Sequence, residues 1–137
     1  MKIKEVFRNL KTTPGFFKSN NIKMECGEAL TIEYLLLFGF DVEFICPSST
    51  KRAKNPDILM LGSIWEIKTP TSSNQKTIKN RFKKASSQAT KTIFDLRGIE
   101  TNADRAQRQI IDLFSQEGTV RRIMIIDKDG RLLDIKK

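Results

Sequence analysis

The sequence predicts an α/β protein, more closely an α+β arrangement in which helices cover a mixed sheet. Three observations predict it. A largely apolar helical segment is closed by a glycine, and two strand-like runs meet at a Gly-Ser pair. A Lys-rich segment then repeats its apolar residues at helical spacing just before another strand-like run.

Taken in chain order, Val6, Phe7 and Leu10 suggest a short helix ended by Thr13-Pro14-Gly15. The run CGEALTIEYLLLF, residues 26–38, is a stronger helix, and Gly39 stands where a helix end favours glycine. FDVEFI alternates and reads as a strand, and PSSTKRAKN is loop. Residues 55–70, NPDILMLGSIWEIKTP, form a hairpin, followed by the polar loop PTSSNQ. Ile78, Phe82, Ala85 and Ala89 then mark one face of a helix. TIFDL favours extended structure. Asn102 or Asp104 opens a helix through Ala106, Ile110, Leu113 and Phe114, closed by Gly118. VRRIMIID and RLLDIK flank Lys128-Asp129-Gly130 as a second hairpin. From Glu28 onward the order is α-β-β-β-α-β, then a helix and a hairpin.

Length and composition narrow the chemistry. A chain of 137 residues is most simply one domain with a real core. No apolar run approaches the ~20 residues of a membrane span. The N-terminal residues have no continuous apolar stretch, so no signal peptide is expected, and export would need another part of a larger polypeptide or a dedicated machine. Cys26 and Cys46 make no framework of bridges and are expected to be buried free thiols. Histidine is absent, which excludes Ser-His-Asp triads, Cys-His dyads and histidine-bound zinc. Catalysis here would run on carboxylates, lysines, hydroxyls or a hard metal ion.

The formal charge of +9 draws the chain towards polyanions. Lys51-Arg52-Ala53-Lys54 precedes the hairpin. Residues 71–91 carry Lys76, Lys79, Arg81, Lys83, Lys84 and Lys91 without one acid. One basic run is usually a solvated helix face; two flanking a carboxylate-bearing hairpin favour a nucleic-acid surface.

A two-residue turn at Gly62-Ser63 would pair Ile58 with Ile67, Leu59 with Glu66 and Asp57 with Lys68. Alternation then puts Ile58, Met60, Trp65 and Ile67 on a core face and gathers Asp57, Leu59, Glu66 and Lys68 on the other. Trp65 is therefore read as packing rather than as a base-stacking platform. Asp57 and Glu66 would repel unless a cation intervenes. That cation is Mg²⁺ between the two carboxylates, or Lys68 in a cross-strand pair with Asp57; the hairpin alone leaves both readings open. Glu28 shares an i, i+4, i+7, i+8 stripe with Ile32, Leu35 and Leu36, so it is an acid on an inward stripe in a first helical turn. Glu25 and Glu33 are weaker rivals.

The helix acid Glu28, Pro56-Asp57 and Glu66-Ile67-Lys68, in α-β-β-β-α-β order, resemble the PD-(D/E)xK nucleases with their restriction-endonuclease-like fold. With the Lys-rich run KKASSQATKTIFDLR and the last hairpin, the chain is similar to the C-terminal toxin nucleases of CdiA-type contact-dependent growth inhibition proteins. The resemblance covers residues 24–137 and leaves 1–23 as an N-terminal extension. It implies a metal-dependent RNase, commonly acting on tRNA inside the bacterial target cell, and a cognate immunity protein. Asp57, Glu66 and the Ile67 carbonyl would hold Mg²⁺ or Mn²⁺, with Glu28 helping indirectly and Lys68 serving the nucleophile or the developing charge. Lys76, Lys79, Arg81, Lys84 and Gln88 would line the substrate path. A DNA endonuclease with the same site, or a non-catalytic basic binding module, are the alternatives.

Overall fold

Local sequence and long-range pairing together set the elements of the computed structural model, which describes residues 2–7, 13–19, 26–45 and 57–137, apart from the side chains of Cys26, Gly27 and Asp57. The order is β1 (Lys2–Val6), β2 (Phe17–Lys18), α1 (Cys26–Phe38), β3 (Val42–Ile45), β4 (Asp57–Met60) and β5 (Ser63–Lys68). It continues with α2 (Gln75–Gln88), β6 (Lys91–Asp95), α3 (Ala103–Gln116), β7 (Arg122–Ile126) and β8 (Leu132–Lys136). The expected α-β-β-β-α-β core runs from α1 to β6, and the added helix and hairpin are α3, β7 and β8.

The strands form one mixed sheet in the order β1-β8-β7-β6-β5-β4-β3-β2. β5, β6 and β7 run parallel, because α2 and α3 supply the crossovers between them. Each face has its own core. On one side Ile32 and Leu35 of α1 cover Ile58, Met60, Trp65, Ile67, Ile93 and Met124. On the other, Ile78 and Phe82 of α2 and Ile110 and Phe114 of α3 cover Phe94, Ile123, Ile125 and Ile135. The alternation along β5 to β8 decides which side chain meets which helix layer.

Two tight spots fix the end of α1. Gly39 adopts φ 107°, and the amides of Gly39 and Phe40 return to the carbonyls of Leu36 and Leu35. Gly15 donates its amide to the Leu36 carbonyl at 2.7 Å, and a Cβ there would lie 1.7 Å from the Phe40 oxygen. Only glycine fits that approach.

Two expectations change. Val6, expected in the N-terminal helix, instead ends β1, which runs antiparallel to β8 with Ile3 opposite Ile135; Phe7 follows the strand, and Leu10 lies outside the described residues. A partner strand at the far end of the chain overrides a weak local helix pattern. The first hairpin turns at Leu61-Gly62, with φ 54° and 72°, rather than at Gly62-Ser63. Both central residues have positive φ, as a type I′ turn requires. The observed pairs are Ile58 with Trp65, Leu59 with Ile64 and Met60 with Ser63. Moving the turn by one position slides the pairing by two, so the described side chains keep their predicted faces.

Candidate active site

β5 emerges from the turn and alternates between the two cores. Trp65 and Ile67 point towards α1 and are buried; Trp65 donates its indole N–H to the Met60 carbonyl at 2.9 Å. Trp65 is a core residue, as its position in the hairpin predicted. Glu66 and Lys68 leave the strand on the opposite side, beneath α2, and are only 2% and 3% exposed. Their charged ends meet at 3.0 Å. Lys68 also donates to Gln88 Oε1 at 3.4 Å, from the last residue of α2. Gln88 is exposed, so it is the outermost member of the group.

Why these three meet follows from local structure. Residues 66 and 68 share a face of β5, and the long lysine side chain folds back along its own strand. Asn74 caps α2 by accepting from the amides of Lys76 and Thr77. Ile78, Phe82 and Ala85 then bury the inward stripe of that helix. The opposite stripe leaves Lys76, Lys79, Arg81 and Lys84 exposed. An ion pair sealed this well needs further polar partners to offset desolvation, and Gln88 supplies one.

Asp57 begins β4, where it pairs with Ile45. Carrying the hairpin register one step past Ile58–Trp65 puts Asp57 opposite Glu66, not opposite Lys68 as the assumed turn implied. Among the described residues Lys68 pairs with Glu66 within one strand; the expected cross-strand pair with Asp57 rests on a side chain outside the described residues. The Asp57 side chain, Pro56, the Lys51-Arg52-Ala53-Lys54 run and the thiols of Cys26 and Cys46 lie outside the described residues. Glu28 is 5% exposed in the first turn of α1, on the stripe of Ile32 and Leu35. Among the described residues no group of three His, Cys, Asp or Glu side chains is placed to hold a metal ion. Among the described residues around β5, the Glu66 carboxylate is an oxygen donor of the kind a hard cation takes.

Several neighbours were not legible beforehand. Thr92 on β6 stands beside Glu66 in the register, fully buried, and its hydroxyl makes no hydrogen bond among the described residues. On the α1 side, buried Asp95 accepts from Thr31 at 2.6 Å and from Arg97 at 2.8 and 3.0 Å. Arg97 in turn donates to the Leu30 carbonyl and lies over the Tyr34 ring, its centre 4.7 Å away. The hydrogen bond to Asp95 raises Arg97 above its usual range. Burial pushes the Tyr34 hydroxyl up to about 12, against the opposing pull of Arg97. This network ties the first half of α1 to the carboxyl end of β6. The sequence signal for it was an acid in the otherwise apolar strand TIFDL.

The family described as the contact-dependent growth inhibition CdiA C-terminal domain matches residues 54–132, which include both halves of the hairpin, α2, β6, α3 and β7. The chain belongs to the CdiA C-terminal domain family. A solved CdiA-CT/CdiI toxin and immunity complex from Burkholderia pseudomallei contains a chain with the same fold. The two superpose with a TM-score of 0.65 at 20% identity, over 90% of this chain and 100% of that one. No curated protein sequence matches this one significantly. Among the described residues no helix of this CdiA C-terminal domain is long and apolar enough to cross a membrane.

Proposed function

We propose that this CdiA C-terminal domain is a metal-dependent nuclease of PD-(D/E)xK type that cleaves RNA, with tRNA as its substrate. In this reading it is a toxin domain that acts in the cytoplasm of a target bacterium and is neutralised by a cognate immunity protein. The observation that carries the chemistry is the buried Glu66–Lys68 pair with Gln88 at its outer side. A carboxylate and an ammonium this poorly solvated are expensive to keep unless they serve a purpose. The immunity partner is suggested by the family and by the relative solved with its own immunity protein.

Asp57, Glu66 and the Ile67 carbonyl would hold Mg²⁺ or Mn²⁺, which supplies polarisation of a phosphodiester oxygen and a lowered pKa for bound water. The protein's own residues do the rest. Lys68 offers hydrogen bonds to the nucleophile or to charge developing on phosphorus, and Gln88 holds the ammonium in place. Lys76, Lys79, Arg81 and Lys84 attract the sugar-phosphate backbone along the outer face of α2. Glu28 acts through its neighbours, from its inward position on α1. Water and a ribose 2′-hydroxyl are both chemically competent nucleophiles here.

Incubating the chain with total tRNA and with plasmid DNA, each with Mg²⁺ or with EDTA, tests the reading. Metal-dependent loss of tRNA with intact plasmid is expected. Cleavage of plasmid alone would make it a DNA endonuclease; binding of both without cleavage would make it a binding module.

A further inference from the structure

The face of the sheet that carries Trp65 is covered by α1 only in part, and beyond that helix lies a second array of charge. The register sets Lys91 beside Arg122, Arg122 beside Lys136, and Lys136 beside Lys2. These four cations form one row across β6, β7, β8 and β1. Lys4 occupies the next position on β1, opposite Asp134.

Independent contacts fix the side on which the row lies. Arg122 holds its guanidinium over the Trp65 ring, 5.2 Å from the centroid. Lys91 donates to Ser63 Oγ at 2.6 Å, and Leu132 and Val6, which alternate in step with Lys136 and Lys2, pack into the core under α1. The row is therefore on the reverse side of the sheet from Glu66 and Lys68. Lys2, Lys4 and Lys136 are exposed, and Lys91 and Arg122 are half-buried.

Counter-charge is scarce. Asp134 accepts two hydrogen bonds from Arg122, at 2.8 and 2.9 Å, and is nearly buried. Lys2, Lys4, Lys91 and Lys136 enter no ion pair among the described residues. Like charges directly opposed across strands destabilise a sheet, so such a row is retained at a cost in the absence of an anion. Strands lie ~4.8 Å apart, which gives the row a length of about 14 Å.

We propose that this row is a second docking track for a nucleic-acid phosphate backbone, on the opposite side of the sheet from the cleavage site. The proposal rests on the nucleic-acid reading given above. A phosphate backbone fits better than an acidic protein because the row holds no exposed apolar anchor: Trp65 and Met124 beneath it are 0% and 1% exposed. Protein interfaces are centred on buried apolar or aromatic anchors, whereas phosphate contacts need only cations with some freedom and a few held in place. Arg122, clamped by Asp134 and stacked on Trp65, is the fixed member; the lysines are the mobile ones.

The test measures binding of labelled tRNA to the whole chain in EDTA, which blocks metal-dependent cleavage, across a series of salt concentrations. Lys2→Gln/Lys136→Gln removes two exposed charges from the row. Lys18→Gln/Arg108→Gln removes two exposed charges elsewhere, on β2 and α3, and serves as the control. The row variant is expected to bind more weakly and to lower the salt slope by about 1.8, twice the ~0.9 per phosphate contact of a duplex. The control is expected to leave the slope unchanged. Equal effects of the two variants, or none, would overturn the proposal. So would unchanged tRNA binding with weakened binding of polyglutamate, which would assign the row to an acidic protein. A wild-type chain that never cleaves nucleic acid, but whose row variant still loses tRNA affinity and salt slope, would sink the nuclease reading and leave the track standing.

Discussion

Lys68→Met should be among the most damaging single substitutions in this protein. Lys68 and Glu66 are 3% and 2% exposed with their charged atoms 3.0 Å apart. Removing the ammonium leaves a carboxylate in a site that water barely reaches, and breaking such a pair costs about 3–5 kcal/mol. That is a large share of the ~5–15 kcal/mol that holds a domain together. With a urea slope of about 2 kcal/mol per molar, the unfolding midpoint should fall by about 2 M. Glu66→Gln should cost less, since the amide keeps the shape and can still accept from Lys68. Replacing both residues, as Glu66→Gln/Lys68→Met, removes both charges of the pair. The double variant should therefore be clearly more stable than Lys68→Met, with a coupling of several kcal/mol in the cycle. Urea melts of the four proteins measure this. A Lys68→Met protein within ~0.5 kcal/mol of wild type, the range of ordinary surface changes, would refute the buried-pair argument, as would simple additivity. If Glu66 also belongs to a cation site, millimolar Mg²⁺ should restore part of the stability of Lys68→Met but not of the double variant.

Three further outcomes are expected. Gly15→Ala drives a methyl group against the Phe40 carbonyl at the end of α1, and should lower stability by about 1–3 kcal/mol in a thermal or urea melt. Leu61→Asn relieves a β-turn residue held at φ 54°, at a side chain that is 54% exposed, and should raise stability by about 0.5–1 kcal/mol. Tyr34 is the sole tyrosine, so the tyrosinate absorbance of the native protein should rise near 12 rather than 10. Because the folded state holds that proton more tightly, Tyr34 contributes stability in full below pH 10 and loses it as the pH climbs towards about 12. A titration midpoint near 10 with the far-ultraviolet signal still native would contradict this.

Periodicity made the helices and the sorting of the hairpin readable. Ile78, Phe82 and Ala85 announced the buried stripe of α2, and alternation placed Trp65 inside and Glu66 with Lys68 on the other face. The turn was misplaced because Leu61 adopts a backbone conformation that a leucine rarely takes, so Gly62-Ser63 looked the better local choice. β1 was misread because its identity depends on β8 at the far end of the chain, and no local pattern reports that pairing. The same limit hid the Thr31–Asp95–Arg97 network and the basic row, since both are made by residues brought together by sheet register. Lys68 was placed on the right face, but its partner Glu66, two residues away on the same strand, was not legible, because the expected pairs were drawn across the hairpin.

The most direct test of the account compares wild type, Asp57→Asn and Glu66→Gln for cleavage of tRNA with Mg²⁺, with circular dichroism confirming that each protein is folded at the assay temperature. Metal-dependent cleavage by wild type is expected, with a loss of about 10²–10³-fold or more in each variant. Folded Asp57→Asn and Glu66→Gln proteins that cleave at the wild-type rate would contradict it.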